Sequence, residues 1–237
     1  MKRMTNGLAG RLITIEGVTG AGKSYFTRHL AKRLRGVHHM PVTILGGFGD
    51  QEVKEDQLPH ITLFVRQLMR VGGRFLGLPW LCETTLLLAE QAFYVETYLL
   101  PALRSGNVVL YVSYNDALVA YQLMRGASTG RTQDSLLRVL KQLIDLQFDP
   151  FHYPKQNLTV YVSAPDGTCF QRLLERDHRP VSAKDKKVIR LIKANYAKLY
   201  ESRKYVVLID NHGETDLSSE VEETALRIAR MPPRAYA

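Results

Sequence analysis

The sequence has few cysteines and no long apolar run. Only two of its 237 residues are cysteines, Cys82 and Cys169, and their separation matches no metal-ligand spacing. A disulfide scaffold and a zinc site are therefore not expected, and a reducing compartment is the default. The opening residues, MKRMTNGLAGRL, are positively charged without an apolar segment behind them, and no stretch approaches the length of a membrane span. We expect neither export nor membrane insertion, and predict a cytoplasmic protein.

The chain also lacks a dense run of lysine and arginine, although its formal net charge is +9 at pH 7. Such a charge is compatible with a cleft that handles phosphates, with a nucleic-acid surface, or with a solvated basic face. The first and third interpretations are favoured, and nucleic acid is not predicted as the main partner.

Short apolar runs alternate with helical patterns along the chain. The runs are rich in β-branched residues and are almost continuously apolar, which is typical of strands buried on both faces of a parallel sheet. The predicted strands are LITIE (12–16), VTILG (42–46), VVLYV (108–112), LTVYV (158–162) and YVVLI (205–209). Helices are predicted over 22–35, 83–105, 133–147, 166–177, 184–203 and 216–230. This alternation predicts an α/β fold with three layers, α/β/α, around a five-stranded parallel sheet.

The sequence contains no repeat and no low-complexity linker. We therefore predict a single domain over 1–237, with a core over about 11–210 and a loose tail over about 231–237.

A glycine-rich segment, EGVTGAGKSYF, follows the first predicted strand directly. Gly17, Gly22, Lys23 and Ser24 fit the pattern G-x-x-x-x-G-K-[ST], and a helical pattern follows it. In this motif backbone N–H groups surround phosphates, the lysine contacts the β- and γ-phosphates, and the hydroxyl binds Mg²⁺. The segment therefore predicts a site for Mg²⁺ and ATP, formed by residues Gly17, Thr19, Gly20, Ala21, Gly22, Lys23, Ser24 and Tyr25, with Ser24 as the metal ligand.

Taken in order, three segments resemble the thymidylate kinase family. ITIEGVTGAGKSYF resembles its first strand and P-loop, and ETTLLLAEQAFYVETYLLPALRSGNVVLYVSYNDALVAYQ is similar to its central helix, third strand and following helix. NLTVYVSAPDGTCFQRLLERDHR resembles its fourth strand and its arginine-bearing lid. The resemblance implies a P-loop kinase fold with a five-stranded parallel sheet and phosphoryl transfer from ATP with Mg²⁺. It also implies a possible homodimer through helices like 83–105.

Several positions depart from the family pattern. The family's third strand ends in Asp-Arg-Tyr or a close variant, and an arginine stands in its central helix, whereas this chain has Val112-Ser113-Tyr114 and Glu90-Gln91. GGFGDQE stands where the family has an Arg-Glu-Pro-Gly-Gly type segment after the second strand, and Thr19 replaces an acid common in the P-loop. In that family the three arginines hold the acceptor's monophosphate, at roughly 1.5–3 kcal/mol for each charge-assisted hydrogen bond. A dTMP-specific pocket is therefore not expected unless other groups replace them.

The loss of these arginines has two possible interpretations. Arg66, Arg70 and Arg74 recur every four residues and would share one face of a helix, where they could bind an anionic acceptor or form a solvated stripe. Alternatively, the acceptor is a neutral hydroxyl that needs a nearby acid, for which the carboxyl edge of the sheet favours Asp50 and Asp116. Each acid could equally be a surface charge or a helix cap. The remaining candidates for acceptor binding are Glu90, Gln91, Ser113, Tyr121 and Gln122.

A predicted lid over about 172–183 carries Arg172, Arg176 and Arg179, spaced by four and three residues. These arginines resemble the family's lid arginines, which neutralise charge on the transferred phosphoryl group. A solvated basic helix end is the competing interpretation. Lys23, Arg176, Arg179, Asp50 and Asp116 are thus the predicted catalytic residues.

Together these features predict an enzyme, a P-loop kinase that transfers the γ-phosphoryl group of ATP to a nucleoside, a nucleotide or a nucleoside-like small molecule. A dTMP kinase with substitute arginines is one alternative. A nucleotide-binding regulatory or assembly protein with impaired catalysis is the other.

Overall fold

The computed structural model of the chain describes residues 10–47, 59–72, 75–151, 153–201, 203, 206–212 and 217–233. Its five strands form one parallel sheet in the order β2-β3-β1-β4-β5. They are β1 (Arg11–Glu16), β2 (Val42–Gly46), β3 (Val108–Val112), β4 (Leu158–Ser163) and β5 (Val206–Asp210). The predicted parallel sheet is confirmed, with every strand boundary within one residue of its prediction.

The helices surround this sheet. They are α1 (Lys23–Gly36), α2 (His60–Gly72), α3 (Trp80–Tyr94), α4 (Leu100–Arg104), α5 (Asn115–Gly126), α6 (Gln133–Phe151), α7 (Asp166–Asp177), α8 (Ala183–Tyr200) and α9 (Ser218–Arg230). No helix in the described ranges is long and apolar enough to cross a membrane.

Three predicted helices differ from the structure by three or more residues at one end. The one predicted over 83–105 begins earlier, at Trp80, and is interrupted by a π-helical turn, Val95–Leu99, before α4. The one predicted over 184–203 ends at Tyr200, and the one predicted over 133–147 continues to Phe151. The sequence pattern does not reveal a π turn, because the apolar side chains inside it, Val95 and Leu99, stay buried.

Alternate residues of β1 pack on opposite faces of the sheet. Ile13 and Ile15 belong to a core with Phe26 and Leu30 of α1, whereas Leu12 packs into a second core with Leu99. Because successive strand side chains point to opposite faces, a strand buried on both faces must be apolar throughout. The two cores give the predicted three-layer α/β/α arrangement.

The carboxyl ends of β1 and β3 lie side by side. Ile15 pairs with Val112, and the Ser113 backbone N–H donates to the Ile15 carbonyl at 3.0 Å. Ligands of open parallel sheets bind outside this carboxyl edge. The segments that follow β1 and β3 are therefore neighbours at the edge where a site is expected.

Candidate active site

The chain leaves β1 through a turn that needs glycine. Gly17, Gly20 and Gly22 have positive φ angles of 143°, 83° and 97°. At Gly22 a side chain is also excluded by space, since a Cβ atom there would lie 2.2 Å from Nδ2 of Asn211. Glycine takes such a conformation without steric cost. The turn can therefore wrap its backbone closely around a ligand.

Helix α1 begins at the end of this turn with its N-terminus uncapped. Among the residues that the structure describes, no side chain caps the helix, and its first turn contains no acidic residue. The N–H groups of a helix's first turn lack partners within the helix, and its dipole makes this end positive. Ser24 is partly buried in this first turn, and Tyr25 beside it is 48% exposed. This end of α1 is a good environment for an anion.

The Lys23 ammonium lies inside the glycine turn. Its Nζ donates to the carbonyl oxygens of Gly17 and Val18, at 2.9 and 3.1 Å. Burial lowers the pKa of Lys23 to about 8, although the nearby Glu16 carboxylate opposes this shift. A desolvated ammonium in contact with carbonyl oxygens gains from any stronger negative partner.

Arg172 and Asn211 hold the glycine turn from the opposite side. Arg172 Nη1 donates to the carbonyls of Gly20 and Ala21, both at 3.2 Å, and its Nη2 donates to Asn211 Oδ1 at 2.9 Å. Asn211 Nδ2 in turn donates to the Ala21 carbonyl at 3.0 Å. Arg172, predicted as a lid residue for ATP, thus contacts the loop itself in this structure.

The other two lid arginines are exposed. Arg176 lies one turn after Arg172 on α7 and donates from Nε to Asp177 at 2.7 Å. Arg179 follows the end of α7, beyond His178, which has a left-handed φ of 51°. Arg176 is close enough to Lys23 to lower the pKa of that lysine, though burial lowers it more. The structure therefore brings Arg172 and Arg176 to the glycine turn, and places Arg179 outside the helix.

Glu16 is completely buried immediately before the turn. Its Oε1 accepts from the backbone N–H of Tyr114 at 2.9 Å, and its Oε2 accepts from the Tyr196 hydroxyl at 3.3 Å. Burial, followed by the charge of Asp116, raises the pKa of Glu16 well above its usual range. The carboxyl group thus joins β1 to the segment after β3.

Asp116 is also buried, with both carboxylate oxygens engaged. Arg203 Nη1 lies 2.7 Å from each oxygen, and the Tyr200 hydroxyl donates to Oδ2 at 3.1 Å. This environment is that of a structural ion pair between α5 and the end of α8 rather than that of a base open to a substrate. Asp50, the other predicted acid, lies outside the described residues.

Neutral amides meet at the start of α5. Gln91 of α3 is 2% exposed and donates from Nε2 to Asn115 Oδ1 at 2.5 Å. Gln91 Oε1 has no hydrogen-bond partner within the described part of the chain. Ser113, just before, has a left-handed φ of 63°, which costs a non-glycine residue about 1–3 kcal/mol. Two acceptor-side candidates, Gln91 and Ser113, are thus placed at the carboxyl edge next to the P-loop, and Glu90 is buried beside Gln91.

Gln122 and Tyr121 lie farther along α5. Gln122 donates to Glu83 Oε1 at 3.0 Å and accepts from the Thr84 hydroxyl at 3.1 Å, so it joins α5 to α3. Seven residues separate Gln122 from Asn115, which is about 10 Å along a helix. Tyr121 packs against Phe75, with ring centroids 6.5 Å apart. Gln122 therefore serves the contact between helices rather than the cluster around Gln91.

The arginines of α2 are not equivalent. Arg66 is only 7% exposed, whereas Arg70, one turn later, is exposed. A shared solvated stripe is therefore excluded for this pair. Arg74, the third member of the predicted series, lies outside the described residues.

Four residues of this network were not predicted from the sequence: Tyr196, Tyr200, Arg203 and Asn211. Asn211 follows β5 directly, so the rule that ligands gather at the carboxyl edge could have identified it. Tyr196 and Tyr200 are spaced by four residues on α8, but that spacing does not reveal which neighbour they contact.

No protein-family model matches the chain, but several known proteins are similar to it, and those named below are all thymidylate kinases. A thymidylate kinase of Gluconobacter oxydans (strain 621H) is 29% identical over 170 residues, which cover 70% of this chain and 69% of that protein. One of Synechococcus sp. (strain CC9902) is 25% identical over 232 residues, 92% of this chain and 97% of its own length. A thymidylate kinase of Nitrosomonas eutropha (strain DSM 101675 / C91 / Nm57) is 32% identical over 164 residues, which cover 69% of this chain and 66% of that protein. With the parallel sheet described above, these similarities show that the chain belongs to the thymidylate kinase-like family of P-loop kinases, which are phosphotransferases.

Proposed function

We propose that this chain transfers the γ-phosphoryl group of ATP, with Mg²⁺, to a nucleotide or a nucleoside-like small molecule. The observation that carries the proposal is the position of Lys23, whose ammonium is held inside a glycine turn at the uncapped start of α1. This combination of an uncapped helix start, its dipole and a partly buried cation suits a polyphosphate. Membership of the family supports the same donor.

On the donor side, backbone N–H groups between Gly17 and Ser24 would bind the phosphates, apart from that of Ala21, which donates to the Val18 carbonyl at 3.2 Å. Lys23 would exchange the carbonyls of Gly17 and Val18 for the more negative β- and γ-phosphate oxygens. The Ser24 hydroxyl would be a protein ligand of Mg²⁺, which neutralises charge on the phosphates when it is bound. Arg172 and Asn211 would keep the loop in shape during this exchange.

The lid arginines would neutralise negative charge on the transferred phosphoryl group. Arg176 is exposed and close to Lys23, so its side chain can turn from Asp177 toward the phosphates. A preorganised cation at this place stabilises the transition state more than the ground state. Arg179 would need a movement of the segment after α7 to assist.

On the acceptor side, several of the described groups next to the P-loop are neutral. Gln91, Asn115 and Ser113 offer amide and hydroxyl groups, which suit an acceptor hydroxyl or sugar better than a phosphate dianion. The relatives are thymidylate kinases by name, which makes dTMP the first nucleotide to test, with Arg66 or Arg70 as its phosphate ligands. Asp116 would then act by holding α8 rather than by removing a proton.

A coupled assay of ADP release tests this function directly. The chain would be incubated with MgATP and a panel of nucleosides and nucleotides that includes thymidine and dTMP. We expect one class of acceptor to stimulate ADP release, and Lys23→Met to abolish the stimulation. Lys32→Met, on the exposed face of the same helix, is the matched control and should keep full activity.

Two negative results have different meanings. Binding of MgATP without stimulation by any acceptor would favour a nucleotide-binding regulatory protein over an enzyme. The absence of magnesium-dependent binding of any nucleoside triphosphate would overturn the proposed function.

A further inference from the structure

We propose that Glu16 is a positioning residue that couples the glycine turn to the segment 113–115, here named the acceptor turn. The inference rests on the proposed function, because the coupling matters only if the two segments hold donor and acceptor. Glu16 itself contacts neither ligand in this proposal. It fixes where the two binding segments stand relative to each other.

The backbone of Glu16 belongs to the donor side. Glu16 is the last residue of β1, and the next residue, Gly17, offers its carbonyl to the Lys23 ammonium at 2.9 Å. Any adjustment of the glycine turn around phosphates therefore begins at the peptide bond after Glu16.

The side chain of Glu16 belongs to the acceptor side. Its Oε1 accepts from the Tyr114 N–H at 2.9 Å, in the middle of the acceptor turn. Tyr114 is also the residue that precedes α5, and no side chain of α5's own N-terminus caps that helix. The Glu16 carboxyl group thus takes the place of a cap, from a neighbouring strand, at the positive end of a helix dipole.

The acceptor turn needs an external tie, that is, hydrogen bonds from another segment that hold it in place, because its backbone conformation is strained. Ser113 has a left-handed φ of 63°, which residues with a side chain rarely adopt unless surrounding contacts hold them. Two contacts hold the backbone here: the Ser113 N–H donates to the Ile15 carbonyl at 3.0 Å, and the Tyr114 N–H donates to Glu16. Both ties come from the end of β1, so the turn moves with the strand that leads into the P-loop.

Burial makes the tie effective. Glu16 and Tyr114 are both fully buried, and Oε2 of Glu16 is held by the Tyr196 hydroxyl at 3.3 Å. Water cannot replace the carboxyl oxygen at the Tyr114 N–H without a local opening. A shift of the glycine turn is therefore transmitted to Ser113 and, through Asn115, to Gln91.

Hydrogen exchange of the intact chain tests the coupling independently of catalysis. Mg²⁺ with a non-hydrolysable ATP analogue should slow exchange in the acceptor turn of the wild-type protein. Glu16→Met keeps the volume but removes the acceptor for the Tyr114 N–H, so exchange there should be roughly tenfold faster and should no longer respond to the nucleotide. Glu16→Gln keeps an acceptor oxygen and should restore the response.

A matched control separates positioning from stability. Tyr196→Phe removes the other hydrogen bond to Glu16 and leaves the tie to Tyr114 intact, so it should keep the response even if it lowers the melting temperature. In the kinetic assay, Glu16→Met should lower kcat while the Kd of MgATP stays within about threefold, because only transition-state alignment is lost.

The outcomes distinguish the two proposals. If the wild-type chain binds the nucleotide but the acceptor turn does not respond, or if Glu16→Met responds like wild type, the coupling is disproved and the proposed function stands. If the wild-type chain binds no nucleoside triphosphate, the proposed function fails and this inference fails with it.

Discussion

Arg203 Nη1 lies 2.7 Å from both carboxylate oxygens of Asp116, and its guanidinium also lies over the ring of Tyr200, 5.6 Å from the centroid. Asp116 is in the first turn of α5, and Arg203 lies three residues beyond the end of α8. The pair therefore holds the end of the helix that follows the predicted lid against the helix that follows the acceptor turn.

This ion pair should contribute measurably to stability. Arg203→Met leaves the buried Asp116 carboxylate with the Tyr200 hydroxyl as its one remaining side-chain partner among the described residues, and we expect the free energy of unfolding in urea to fall by about 1–3 kcal/mol. The expected loss is at the lower end for buried pairs because the Arg203 side chain is 39% exposed. The matched control is Arg190→Met, whose pair with Asp166 is more exposed and should contribute less than about 1 kcal/mol. Equal losses in the two variants would contradict this prediction.

Asp116 itself separates a structural role from a catalytic one. If it acts as the structure indicates, Asp116→Asn should lower stability while the turnover rate falls by less than about tenfold. A loss of turnover of about a hundredfold or more, with unchanged stability, would restore Asp116 as the general base, since that is the usual contribution of one. Urea unfolding and the coupled assay on the same preparation measure both quantities.

Nucleotide binding should depend on pH through Lys23. Burial lowers the pKa of this lysine to about 8, so the ammonium that binds phosphate is lost as the pH rises through that value. We expect the affinity for MgATP to be constant below about pH 7.5 and to fall by up to tenfold per pH unit above about pH 8. Calorimetry between about pH 6.5 and 9.5 would measure this; Lys23→Arg, whose cation does not titrate there, should give a flat profile over that range.

The same shift predicts the sign of a stability effect. The unfolded chain, in which the lysine pKa is 10.5, holds the proton more tightly than the native protein. The contribution of Lys23 to the free energy of unfolding should therefore increase as the pH rises from about 8 to 10.5 and be absent in Lys23→Met. For the binding prediction above, a wild-type affinity for MgATP that does not change across pH 8 would contradict the role of Lys23 in binding phosphate.

Asn211 and Arg176 should affect different steps, the first nucleotide binding and the second the rate of transfer. Asn211→Ala removes hydrogen bonds to Ala21 and Arg172, so the loop loses support and MgATP affinity should fall by about tenfold. Arg176→Met should instead lower the transfer rate by about a hundredfold or more with little effect on affinity. Lys187→Met, exposed on α8, is the control and should change neither. An identical effect of Asn211→Ala and Arg176→Met on affinity would contradict this division.

The strain at Ser113 should be relieved by glycine. Ser113→Gly removes the Cβ from a left-handed residue, and we expect the free energy of unfolding to rise by about 0.5–1 kcal/mol. His39→Gly makes the same change at another left-handed residue, with a φ of 51° in the loop between α1 and β2, so it is the matched control for backbone strain. Both variants should gain stability, but only Ser113→Gly should lower the phosphoryl-transfer rate, because it loosens the acceptor turn. Unchanged transfer by Ser113→Gly would separate the strain from function.

Local pattern was enough to predict most of the architecture. Runs such as VVLYV and LTVYV are apolar on both faces because their strands lie inside a parallel sheet, and their ends fall within one residue of the observed β3 and β4. The glycine turn was equally predictable, because its motif is local and its glycines take positive φ angles that other residues rarely adopt. The interruption of 83–105 by a π turn was not predictable, since it depends on how Val95 and Leu99 fit a neighbouring surface.

Local sequence was therefore sufficient to predict the strand pattern, the glycine turn and the family, because each depends on residues close together in the chain. The packed structure was needed to show which side chains meet at the carboxyl edge. It joined Glu16 to Tyr114, 98 residues away, Asp116 to Arg203, 87 residues away, and Arg172 to Asn211, 39 residues away. Buried polar groups take their partners from whichever strand end or helix end packs beside them, and that packing is set by the whole sheet rather than by any local spacing.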